Sequence, residues 1–131
     1  MAQQNLESLQ RALAEAPNPE PLFALLADDV EWDYVGAFPE SQTYRGPDAV
    51  REFFRQWSGA FDDFGMEAEE LVDAGESVAV LLHQWGRGKN TGVPVENRTW
   101  QVFDFRDGKI VHCAGYGTKA DALAAAKRSH G

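Results

Sequence analysis

The chain has 131 residues, a formal charge of −9 and one cysteine, Cys113. That length suits a single domain, which buries roughly two thirds of its unfolded surface. The negative charge argues against a nucleic-acid partner, the lack of an apolar run of about 20 residues against a transmembrane helix, and the lone cysteine against a disulfide or a Cys-based zinc site.

The opening MAQQNLESLQ is polar and has no secretory h-region. No basic amphipathic helix suits a membrane surface. A cytoplasmic location is therefore the default expectation. Leu6, Leu9, Leu13 and Ala16 recur at helical spacing, which predicts an amphipathic helix over residues 5–16. Pro17-Asn18-Pro19 ends it, and Asn18 can cap a second helix with Pro19 at its first position. Leu22, Phe23, Leu25 and Leu26 give that helix its apolar face. Val30, Trp32 and Tyr34 alternate with Glu31 and Asp33 and predict a short strand. Gly36 to Gly46 reads as a loop with a short strand around Thr43 to Arg45. A third helix starts at Gly46-Pro47-Asp48, with Val50, Phe53, Phe54 and Trp57 as its stripe, and stops at Ser58-Gly59.

A meander follows. Its strands run from Phe64 to Val72, Val78 to Arg87, Val95 to Arg106 and Lys109 to Thr118. Asp73-Ala74-Gly75-Glu76 and Gly88 to Gly92 turn the chain, and Asp107-Gly108 suits a type I′ turn, whose two central residues need positive φ. Thr118 with Asp121 three residues on predicts the start of a last helix. Lys127 and Arg128 suit that helix's negative end. The order of helices, strand, helix and meander defines an α+β domain spanning residues 1–131, with helices on one face of a curved sheet.

The second strand of the meander is apolar on both parities: Val78, Val80 and Leu82 on one, Ala79, Leu81 and Trp85 on the other. The face away from the helices needs a cover. The chain's own ends could supply it, but a homodimer through that face is the expectation, with His83, Trp85, Trp100 and Tyr116 at its interface.

The stretch FDFRDGKIVHCAGYG, together with LFALLADDVEW and YRGPDAVREFFRQW, resembles the SnoaL-like group of the nuclear transport factor 2-like superfamily. The order and spacing of these segments carry the resemblance. It implies a cone-shaped, curved, mostly antiparallel (mixed) β-sheet wrapped on N-terminal helices, with a short C-terminal helix and an apolar cavity. It also implies polyketide cyclases and ketosteroid isomerases as relatives. Their acid–base chemistry relies on carboxyl groups whose pKa an apolar cavity raises.

Against that pattern, Gly115 stands where the cyclases carry an acid/base aspartate, and Gln101 stands where the isomerases carry an oxyanion-stabilising aspartic acid. Leu26 and Phe54 occupy two positions of the isomerase tyrosine network. For the isomerase base, two registers are open. A one-residue gap matches Asp33 to it; without the gap Tyr34 matches and Asp33 points the other way. Strand alternation favours the second, because Val30, Trp32 and Tyr34 would then share the apolar face.

Asp33 and Tyr34 are thus the candidate catalytic residues, and Trp32, Phe54, Trp57, Gln84, Thr99, Gln101, Phe103 and Cys113 the candidate ligand contacts. Gln84 is the expected neighbour of Gln101. No cofactor and no metal are expected. His83 and His112 on adjacent strands would be structural or interface residues, and Cys113 a small buried residue. Two functions compete. One is a small-molecule-binding domain for an apolar ligand, with proton-transfer chemistry of isomerase, cyclase or hydratase type if it is an enzyme. The other is a non-catalytic dimerisation or interaction module whose pocket is filled by Phe38, Phe53, Phe54 and Phe103.

Overall fold

The computed structural model describes residues 2–15, 18–34 and 42–128; the side chains of Tyr34 and Trp57, and all of Phe38 and His130, lie outside that description. Helix α1 spans Ala2–Ala14, α2 Glu20–Phe23 and α3 Pro47–Gly59. The strands are β1 (Leu26–Tyr34), β2 (Gln42–Arg45), β3 (Phe61–Asp73), β4 (Ser77–Gly88), β5 (Pro94–Arg106) and β6 (Lys109–Tyr116), followed by α4 (Lys119–Arg128).

The six strands form one curved sheet in the order β2-β1-β6-β5-β4-β3. All neighbours are antiparallel except β1 and β6, which run parallel. The α+β expectation holds. The chain departs from it at the second helix, which is a single turn. Asn18 Oδ1 accepts the Glu20 N–H at 3.2 Å, but Leu26 already belongs to β1. The Asp107-Gly108 turn forms as read, with φ of 52° and 78°. Thr118 Oγ1 accepts the Asp121 N–H at 3.1 Å and so caps α4.

Helices α1 to α3 cover the concave face. Leu9, Leu13, Leu22, Phe23, Val30, Trp32, Val50, Val78, Val80, Leu82, Phe103, Ile110 and Cys113 form the core between them and the sheet. The opposite, convex face carries a second cluster, in which Ala79, Trp100 and Val102 lie beneath Ala122 and Ala126 of α4. The chain's own end therefore covers the middle of the second face. Trp100 and Tyr116, expected at an interface, pack in this cluster instead. Small alanines let α4 approach the sheet closely. Lys119 lies over the Trp100 ring at 5.6 Å, a cation–π contact at the helix start.

Beyond α4 the convex face stays open around Trp85, which is 38% exposed. Its ring lies across Gly65 on β3: a Cβ there would meet the indole at 2.3 Å, so only glycine fits. Among the described residues no helix is long and apolar enough to cross a membrane.

Candidate functional site

Helix α3 begins after Gly46, whose φ of 85° turns the chain out of β2. Its fourth and eighth residues, Val50 and Phe54, face the sheet, while Arg51, Arg55 and Ser58 follow along one flank at helical spacing. That flank, the end of α1, the Asn18–Phe23 turn and Met66 of β3 enclose a pocket of about 360 Å³. Ala12, Leu13, Leu22, Phe23, Phe54 and Met66 supply its apolar walls, and Asn18, Glu20, Arg51, Arg55 and Ser58 the polar rim.

A run of edge-to-face aromatic rings leads from this pocket into the core. Phe23 meets Phe54 at 5.4 Å, Phe54 meets Trp32 at 5.4 Å, and Trp32 meets Phe103 at 5.7 Å. Trp32 and Phe103 are 3% and 1% exposed. Of the expected contact residues, Phe54 lines the pocket, whereas Trp32 and Phe103 sit behind it. Gln84 supports the wall from the sheet side, where its amide N–H lies 3.5 Å from the Met66 sulfur.

Gln101 faces the concave side, in register with Val80 and Gly115. Its neighbour is not Gln84, which pairs with Asn97, but Cys113, whose thiol lies 3.7 Å from Gln101 Oε1. Thr99 is on the same parity, opposite Leu82. Burial, with Asp104 and Asp33 adding to it, pushes the Cys113 thiol well above its ordinary range.

Asp33 lies on the convex face. The gapped register would have aimed it into the cone; the observed strand pairs Trp32 with Cys113 on the concave side and turns Asp33 outward. There it joins a polar chain. Thr43 Oγ1 donates to Asp33 Oδ1 at 2.6 Å, and His112 Nε2 stands 2.9 Å from Asp33 Oδ2. On its other side His112 Nδ1 is 3.2 Å from Asp104 Oδ2, and the buried Ser77 hydroxyl donates to Asp104 Oδ1. The Asp104 hydrogen bond, ahead of Asp33 and against burial, pushes His112 up to about 9. Burial acts to raise the Asp33 carboxyl, but the Thr43 and His112 hydrogen bonds outweigh it and hold it below its ordinary value. The arrangement is a carboxylate–imidazolium–carboxylate bridge across β1, β6 and β5. Both imidazole nitrogens are engaged, so it holds a proton rather than moving one.

His83 does not neighbour His112, because β5 lies between their strands. It sits instead on the convex face beside Glu67 and Glu96, at 3.4 and 3.2 Å. Glu67, Glu69 and His83 bring potential metal-ligand atoms within 4.8 Å of one another. Arg98 spans Glu69 and Glu96, at 2.8 and 3.3 Å, and so engages two of these carboxylates in an ion-pair network.

The pocket lining from α1 and α2, together with Arg51, was not singled out in the sequence, because helical periodicity marks Leu13 and Phe23 only as core. The Ser77–Asp104–His112–Asp33 chain was missed because its members meet only through strand register.

The family model described as a SnoaL-like domain matches residues 7–113, and the chain belongs to that family. Solved structures share the fold. An NTF2-like protein from Burkholderia thailandensis is 28% identical, with 97% of this chain and 98% of that one covered and a TM-score of 0.75. A protein with a ketosteroid isomerase-like fold from Catenulispora acidiphila, solved in complex with trimethylamine, is 16% identical, with 97% and 95% covered and a TM-score of 0.71. TerC, co-crystallised with polyporic acid, is 17% identical, with 95% and 98% covered and a TM-score of 0.73. No curated protein matches the sequence.

Proposed function

We propose that this SnoaL-like domain binds a small, largely apolar molecule in the pocket between α1, α2, α3 and β3. The observation that carries this reading is the pocket itself: about 360 Å³, walled by Leu13, Leu22, Phe23, Phe54 and Met66 and rimmed by polar groups. Ligand sites are concave, mostly apolar and dotted with a few polar groups, with volumes from about 300 Å³ upward. Two structural neighbours were crystallised with small organic molecules, trimethylamine and polyporic acid.

Binding rather than turnover is the better-supported part of this reading. Proton transfer of the isomerase, cyclase or hydratase kind needs a titrating group at the reacting centre. The middle of the concave sheet face presents Gln84, Thr99, Gln101 and Cys113, and the Cys113 thiol is held protonated by burial. The candidate base Asp33 is committed to Thr43 and His112 on the other face.

A second reading, a non-catalytic interaction module, draws on one observation. The Phe54–Trp32–Phe103 series fills the space behind the pocket with the chain's own rings.

Calorimetric titration with flavone and with decanol separates the two. Saturable one-site binding that is lost in Met66→Trp, with the melting temperature kept, supports the ligand-binding reading. Absence of saturable binding by flavone, by decanol and by its carboxylate counterpart decanoate rejects it in favour of the module.

A further inference from the structure

We infer that the pocket selects an apolar molecule ending in a carboxylate, with Arg51 as the specificity-determining residue. The inference rests on the ligand-binding reading of the same pocket. It comes from asking which hydrogen-bonding capacity the rim leaves unspent.

Arg51 gives one nitrogen, Nη1, to both oxygens of Glu20 at 3.1 Å. Its guanidinium carbon lies 4.7 Å from the centre of the Phe23 ring, one of the apolar walls. Contact with that ring fixes the plane of the guanidinium at the junction of apolar wall and solvent. Among the described residues Nε and Nη2 make no further hydrogen bond. Arg55, one turn on, spends Nη2 on Glu52 and, among the described residues, keeps its other donors. Asn18 has its side-chain oxygen on the Glu20 N–H, which leaves its amide N–H groups. Ser58 donates its hydroxyl proton to the Phe54 carbonyl at 2.9 Å.

The acids at this rim are already turned onto arginines, and the free capacity is mostly donor. An alcohol could accept from such a rim, but a planar carboxylate matches the fork of a guanidinium with two parallel bonds of charge-assisted strength. An ammonium would face two arginines, and the rim carboxylate, Glu20, already accepts from Arg51 through both oxygens. The apolar body would lie against Leu13, Phe54 and Met66, away from water.

The test compares three probes with one hydrocarbon chain and different heads: decanoate, decanol and decylamine, titrated calorimetrically at pH 7.5. Decanoate is expected to bind about tenfold tighter than decanol, and decylamine more weakly than either. Arg51→Gln should erase the gap between decanoate and decanol, and Arg51→Lys should restore only part of it, since an ammonium lacks the fork. Glu20→Gln should tighten decanoate by freeing Nη1. Decanoate binding no tighter than decanol in the native chain, or a gap that survives Arg51→Gln, overturns the carboxylate inference while leaving the pocket reading intact. Absence of binding by all three probes overturns the pocket reading itself.

Discussion

Asp104 stands opposite His112 across the β5–β6 hairpin because β6 accommodates one extra residue, Val111. Next to the turn, Arg106 pairs with Lys109 and Phe105 with Ile110; then the register shifts and Asp104 pairs with His112. Without the shift Val111 would face Asp104 and the imidazole would point into the core. The bulge sets the parity of everything beyond it, placing Cys113 opposite Phe103 on the concave side.

This bridge should make stability depend on alkaline pH. His112 is raised from 6.5 to about 9 in the folded chain, so its contribution is full below pH 6.5 and is lost as pH rises through 9. The groups facing it are Asp104 and Asp33, which Thr43 and Ser77 support. With 34% of the side chain in water, the screened contribution is about 1–2 kcal/mol. Urea unfolding of the native chain should therefore lose about that much between pH 6.5 and 10, relative to His112→Gln. Parallel pH curves for the two chains would show that the bridge does not hold the proton.

The aromatic series should be the mechanical centre of the core. Trp32 is wedged between Phe54 and Phe103, and Phe103 is 1% exposed. Phe103→Ala leaves a cavity with rings on its rim and should cost about 3–5 kcal/mol in chemical denaturation. A loss under about 1 kcal/mol would mean that the rings around it collapse into the space.

Much of this architecture was legible. Periodicity marked α1 and α3, the Asp107-Gly108 pair fixed the last turn, and alternation in Val30, Trp32 and Tyr34 already aimed Asp33 outward. What was not legible depends on register and on contacts far apart in sequence. The bulge at Val111 has no Gly or Pro to mark it. The second helix reads longer than it is because Leu25 and Leu26 continue the apolar run, yet Leu26 is drawn into β1 by pairing with Ile110. The run of alanines in α4 gave no hint that their small size suits close packing on Ala79 and Val102.

Steroid isomerisation should be absent or weak. Each oxyanion donor of such an active site commonly contributes about 3–4 kcal/mol, and Gln101 cannot exchange a proton where an acid would be needed. Assay of Δ5-3-ketosteroid conversion should find little turnover in the native chain and no change in Asp33→Asn. Robust turnover that vanishes in Asp33→Asn would require Asp33 to reach the concave side, against its bonds to Thr43 and His112.

We propose a homodimer through the part of the convex face that α4 leaves open. Trp85 is an exposed large apolar residue there, and Val93 is another at the adjoining hairpin end. Light scattering behind gel filtration should give twice the chain mass of 14.5 kDa, and Trp85→Glu should shift it to one chain. A native mass of one chain would reject the proposal.

Ligand binding in the pocket is the central claim, and the chain supplies its own probe. It has two methionines, Met1 and Met66, and Met66 forms part of the pocket wall. With ¹³C-methyl methionine, a two-signal NMR spectrum can be followed while decanoate is added. The account predicts that the Met66 methyl shifts saturably as decanoate is added. Saturable binding by calorimetry with an unmoved Met66 methyl would place the ligand elsewhere and contradict the account.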